Sequence, residues 1–149
     1  MTFPLTTTNI CMAKESVFTD TSAWIALCDK KDQFHQKAKA HLDILEREQA
    51  ILITTNLIIH ETAVLLSRRA SRKAAVRFVE TSYADRNISV IQSDYACEKK
   101  AYGYFKKYQD HDFSIADCVS FAVMNDMKIK RAFSFDAHFS IMGFIIEPR

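Results

Sequence analysis

Glycine and proline are scarce, with two of each in 149 residues. Both residues punctuate turns and loops, so their near absence excludes a loop-rich or low-complexity chain and leaves one built mostly of regular elements, helices above all. No apolar run approaches the roughly 20 residues that a membrane-spanning helix needs. The opening stretch MTFPLTTTNICMAKES lacks the basic start and continuous apolar centre of a secretory signal, and a cytoplasmic protein that makes no use of a membrane is expected. Strong charge of one sign is lacking too. The formal net charge is +2, well short of the basic footprint that by itself marks a nucleic-acid-binding domain. The local clusters SRRASRK (67–73), KK at 99–100 and 106–107, and KIKR (128–131) read first as solvated helix faces. Paired cysteines are missing as well: Cys11, Cys28, Cys97 and Cys118 lie far apart. That spacing excludes the usual zinc and redox motifs and fits reduced, mostly buried thiols.

What is present is a core. Hydrophobic residues make up 48% of the chain, eleven of them Phe, within a length that suits one domain. Short strand-like runs stand at SVFT (16–19), AILITT (50–55), ISVIQ (88–92), RAFSF (131–135) and GFIIEP (143–148). Between them come stretches with helical apolar spacing: DTSAWIALCDK, residues 32–48, NLIIHETAVLLSRR, SRKAAVRFVETSYADR opened by Ser71, SDYACEKKAYGYFKKYQ and SIADCVSFAVMNDM. Strands separated by helices imply crossover connections, and hence a parallel sheet covered on both faces, an α/β sandwich of four to five strands. No repeat or linker divides the chain. Residues 1–15 carry no pattern and are expected to form a disordered N-terminal tail, with residues 16–149 as the single domain.

Most of the eighteen acids sit among other charges, as solvated carboxylates do. Four do not: Asp20 in VFTDTSAWIAL, Glu61 in NLIIHETAVLL, Asp117 in SIADCVSFAV and Asp136 in AFSFDAHFSIMGF. No Lys or Arg lies within four residues of any of them, and a carboxylate in an apolar element is costly to bury without hydrogen bonds, a cation or a metal. Each has a purely structural reading. Asp20 would cap a helix, Asp117 would close a capping box with Ser114, Glu61 would be a satisfied core acid, and Asp136 would open a turn. Topology adds a second reading. Asp20 follows the first strand and Asp136 the fourth, and the carboxyl ends of strands line the ligand crevice of an open α/β sheet. Four carboxylates in one cleft repel one another, and a hard divalent ion, Mg²⁺ or Mn²⁺, resolves the conflict. Metal-assisted phosphodiester hydrolysis is the chemistry such a site performs.

Taken together, FTDTSAWIAL after a strand, the Glu of NLIIHETAVLL, FSIADCVSFAVM, and AFSFDAHFSIMGF resemble the PIN domain, and within it the VapC-like toxin ribonucleases. The resemblance runs from Ser16 to Pro148. It implies a three-layer sandwich with strand order 3-2-1-4-5 and helices on both faces, and it assigns Mg²⁺ or Mn²⁺ binding and catalysis to Asp20, Glu61, Asp117 and Asp136. Thr21 or Ser22 matches the hydroxyl residue that often follows the first acid, and Ser134 the Thr often found before the last. Asp112 is a further acid near the expected cleft, as a cap or a support to the ligands. An RNA substrate, a small antitoxin partner and a homodimer are implied. The segment beginning at Met12, MAKESVFTDTS, looks like an ordinary start for the family, which leaves the residues before it as an addition. A PIN-like module that only binds RNA or protein is an alternative, although all four acids are present. A haloacid-dehalogenase-type phosphatase is a rival on the opening stretch, but it needs an Asp where Ser22 stands. Among the histidines, His35, His41 and His111 lie in polar stretches and are expected to be exposed, and His60 and His138 to be structural or supporting.

Overall fold

The computed structural model describes residues 13–149; the expected tail therefore lies outside the described residues as far as Met12. Five strands, β1 (Ser16–Thr19), β2 (Ile51–Thr55), β3 (Ile88–Ile91), β4 (Arg131–Phe133) and β5 (Ile145–Glu147), form one sheet. Its order is β3-β2-β1-β4-β5, and every pairing is parallel. The order and strand number agree with what the family resemblance implies. The central strands are buried on both sides: Val17, Phe18 and Thr19 of β1 and Leu52 to Thr55 of β2 are all buried, as in a strand covered on both faces.

Among the described residues there are also seven helices: α1 (Thr21–Cys28), α2 (His35–Arg47), α3 (Asn56–Arg69), α4 (Arg72–Ala84), α5 (Tyr95–Lys107), α6 (Ile115–Asp126) and α7 (His138–Ile141). The strand order runs outward in both directions from β1, so right-handed crossovers place helices on both faces. The four-residue α7 is too short to give a periodic signal and was not expected. Its Phe139 is fully buried and meets Phe18 at 5.9 Å and Phe121 at 5.3 Å between ring centroids, which pins the segment after β4 onto the core.

Helix ends show how the chain manages with little glycine. A left-handed residue ends α2 at Gln49 (φ 56°), α6 at Lys128 (φ 57°) and α7 at Gly143 (φ 87°). In each case the next amide reaches back to the helix: Ala50 to the Leu45 carbonyl, Ile129 to Met124, and Phe144 to Phe139. These are Schellman-type stops, two of them made without the residue best suited to them.

The expected exposure of His35 and His41 is wrong, since both are buried. They recur with Ala38 and Leu45 at helical spacing along α2 and form its inward stripe, which their polar sequence neighbours conceal. His35 Nδ1 lies 2.7 Å from the Ala26 carbonyl. His41 packs edge-on against Phe133, and burial pushes its pKa below the ordinary value, with the Glu147 carboxylate pulling the other way. The described cysteines are free; Cys118 is buried, while Cys28 and Cys97 are half-buried.

Candidate metal centre

The sheet reverses its direction of growth between β1 and β4, and a ligand crevice forms outside the carboxyl ends of strands at such a point. The backbone closes it: the Asp20 amide donates to the Phe133 carbonyl at 3.2 Å. Asp20 thus leaves β1 beside the end of β4, only 4% exposed.

Asp20 is also the N-cap of α1, its Oδ1 accepting the Ala23 amide at 3.3 Å. The same oxygen accepts the Ser22 hydroxyl at 2.7 Å, and Oδ2 accepts the Ser134 hydroxyl at 2.9 Å. Burial raises its pKa from 3.8 to about 7; those hydrogen bonds oppose the rise, and the Asp136 charge adds to it. Ser22 accepts the Phe135 amide at 2.8 Å, and Ser134 accepts the Asp136 amide at 2.9 Å. Two serine hydroxyls therefore tie the end of β1 to the turn after β4.

Asp117 enters from α6. Its Oδ2 accepts the Ser114 amide at 2.9 Å while its own amide donates to Ser114 Oγ at 3.0 Å, a reciprocal capping box. Asp136 Oδ1 accepts the His138 amide at 3.0 Å, which starts α7. The structural readings of Asp20, Asp117 and Asp136 thus hold, and for Asp117 and Asp136 they hold alongside a meeting of their carboxylates. His138 Nδ1 lies 3.2 Å from Asp117 Oδ2 and 3.2 Å from Asp136 Oδ2. The ligating atoms of Asp117, Asp136 and His138 all fall within 4.8 Å of one another, a group able to hold a metal ion.

Asp20 and Glu61 stand outside that group of three. Asp20 joins it through Ser134, whose hydroxyl links its carboxylate to the Asp136 amide. Glu61 is not a core acid: it is exposed on α3 and its Oε2 accepts the Thr21 hydroxyl at 2.6 Å, one residue from Asp20. Asp112 is exposed and shares no hydrogen bond or ion pair with these acids among the described residues. No Lys or Arg pairs with Asp20, Glu61, Asp117 or Asp136 among the described residues; Arg69, for one, pairs with Asp29 and Asp32 instead. His138, read from the sequence as structural or supporting, is the third member of that group of three. Its signal was the two-residue offset from Asp136 in FDAHF, where a turn folds the ring back over the acid.

Residues 17–145 match the family model of the PIN domain. The chain is 32% identical over 132 residues to VapC20 of Mycobacterium tuberculosis, a 23S rRNA-specific endonuclease, covering 87% of this chain and 95% of the relative. The crystal structure of VapC20, a toxin that cleaves the sarcin–ricin loop, superposes with a TM-score of 0.80 at 30% identity over 87% of this chain and 96% of that one. FitAcB from Neisseria gonorrhoeae shares the fold, with a TM-score of 0.60 at 14% identity over 87% and 95% of the two chains.

Proposed function

This chain belongs to the PIN domain family, and from that premise we propose that it is a metal-dependent endoribonuclease, the toxin of a toxin–antitoxin pair. The observation that carries the reading is the meeting of Asp117 and Asp136 at the switch point of the sheet, with Asp20 tied to them through Ser134 and no Lys or Arg paired to any of the three among the described residues. Uncompensated carboxylates in one crevice are the donor set of a hard divalent cation, and Mg²⁺ or Mn²⁺ is the ion we assign, held by Asp117 and Asp136 with Asp20 and Glu61 completing the acidic wall. When bound, such an ion activates water, neutralises non-bridging phosphate oxygens and supports the leaving oxygen.

The chain's own residues do the positioning. Ser134 fixes the relation between Asp20 and Asp136, Ser22 locks Asp20 to the Phe135 amide, and the Thr21 hydroxyl aims the Glu61 carboxylate. The capping box sets Asp117 at the first turn of α6. The N-terminus of α1 directs the Ala23 amide at Asp20, a hydrogen bond that works against the rise in pKa that its burial causes. Ser22 also speaks against a phosphatase: the position where that chemistry needs a second acid is a hydroxyl strut between two backbone segments.

The substrate is RNA, and because VapC20 is a 23S rRNA-specific endonuclease, the sarcin–ricin stem-loop is the first RNA to test. The protein works in the cytoplasm; no helix among the described residues is long and apolar enough to cross a membrane. A small antitoxin would block the site by placing a basic side chain, Arg above all, among the carboxylates, because a guanidinium compensates the same charge that a metal does. We assign a homodimer as the working assembly. The test is incubation of the stem-loop with the purified protein. Endonucleolytic cleavage should appear with Mg²⁺ or Mn²⁺ and vanish in EDTA, and cleavage that persists in EDTA would refute the metal-dependent mechanism.

A further inference from the structure

We propose that His138 is itself a metal ligand through Nδ1, making the donor set two carboxylates and one imidazole and tilting the site toward Mn²⁺ over Mg²⁺. The inference rests on the nuclease reading of the same site and adds a residue to it that the acidic pattern does not contain.

The geometry carries the argument. Two ligands on adjacent vertices of an octahedron with metal–ligand bonds of about 2.1 Å stand about 3 Å apart. His138 Nδ1 stands 3.2 Å from Asp117 Oδ2 and 3.2 Å from Asp136 Oδ2, close to the adjacent-vertex spacing from each, and the ligating atoms of all three residues lie within 4.8 Å of one another. The ring is held there from three sides. The His138 amide is bound to Asp136 Oδ1 at 3.0 Å, which leaves Oδ2 of that carboxylate to face the imidazole. Phe113 meets the ring at 5.1 Å between centroids, edge to face. Phe139, next in the chain, is fully buried and anchors α7. Nδ1 as the ligating atom puts the proton of the neutral ring on Nε2.

The chemistry then sets the preference. Imidazole is a poor ligand for Mg²⁺, whose sites are built from oxygen, and a good one for later first-row divalent ions; at a mixed N/O site affinity rises along the series from Mn²⁺. The opposing arrangement is a protonated Nδ1 donating to both carboxylates. It would place a competing cation where the metal has to sit, so the two arrangements predict opposite effects of removing the ring.

The experiment is calorimetric titration of the full chain, metal-free, with Mn²⁺ and separately with Mg²⁺, for the wild type, His138→Ala and Asp117→Asn. A ligating His138 predicts that His138→Ala weakens Mn²⁺ binding by at least about tenfold and Mg²⁺ binding by less than about threefold. Unchanged or tighter Mn²⁺ binding by His138→Ala would overturn it. Asp117→Asn separates the two claims: if it leaves binding of both ions intact, the metal centre itself is misplaced. Pulsed electron paramagnetic resonance of the Mn²⁺-loaded wild type needs no variant. Coupling to a directly bound nitrogen is expected, and its absence would equally overturn the assignment.

Discussion

At Asp20, folding and the proposed cation site make demands on the same carboxylate. It caps α1 and is almost wholly buried, and burial holds its pKa near 7. Because that value is raised above the ordinary 3.8, the folded state binds the proton more tightly than the unfolded chain does. The group therefore costs nothing at low pH, and stability is lost as pH rises from about 4 through about 7. Asp20→Asn keeps the capping acceptor, since Asn caps about as well as Asp, and removes the buried charge. In metal-free melting experiments the variant should exceed the wild type by at least about 3 °C at pH 8, with the gain shrinking toward pH 4; a difference that does not vary with pH would contradict this account of the residue. The same variant should lose RNA cleavage by about 100-fold or more. The four acids stand out in the sequence because none has a neighbouring cation. That Glu61 would be exposed was not legible there, because its apolar neighbours on α3 point elsewhere, and His138 was not, because its contact with Asp117 spans 21 residues and depends on where α7 begins.

Elements end and join here by devices that composition alone hides. Scarce glycine suggested few turns, yet α2 and α6 still stop in left-handed conformations at Gln49 and Lys128. A residue with a Cβ pays a steric cost there that glycine avoids. Gln49→Gly and Lys128→Gly should each stabilise the fold by about 0.5–1 kcal/mol, read from denaturant midpoints; a loss of stability in both would show that the unfolded-chain entropy of glycine outweighs the relief. At the other end of the sheet Arg131, the first residue of β4, bonds Glu147 at 2.6 Å, Glu15 at 2.7 Å and Glu48 at 3.0 Å. It joins β5, the approach to β1 and the end of α2, and the carboxylates raise its pKa further. Removing it strands Glu147, whose side chain is 16% exposed. Arg131→Met should therefore destabilise by about 2–3 kcal/mol, and adding Glu147→Gln should recover part of that loss in a double-mutant cycle. The helix boundaries at Asn56–Arg69 and the Ser71 cap were readable from pattern. The buried face of α2 was misread because histidine is a polar letter in an inward position.

For the molecule as a whole, topology converts scattered residues into a site. Alternating strands and helices, with no span and no linker, were enough to specify a parallel sheet, while the strand order came from the family resemblance because pairing order has no local signature. Once β1 and β4 are neighbours, the residues that follow each must meet, and the acids of α3 and α6 are drawn to the same edge. The central claim is that this convergence exists to hold a divalent cation against RNA. The most direct measurement is single-turnover cleavage of the sarcin–ricin stem-loop across a Mn²⁺ titration by the wild type and by Asp136→Asn, with circular dichroism confirming that both are folded. The account predicts saturable, metal-dependent cleavage by the wild type and a loss of about 100-fold or more in the variant. Equal cleavage by the two folded proteins at saturating Mn²⁺ would contradict it.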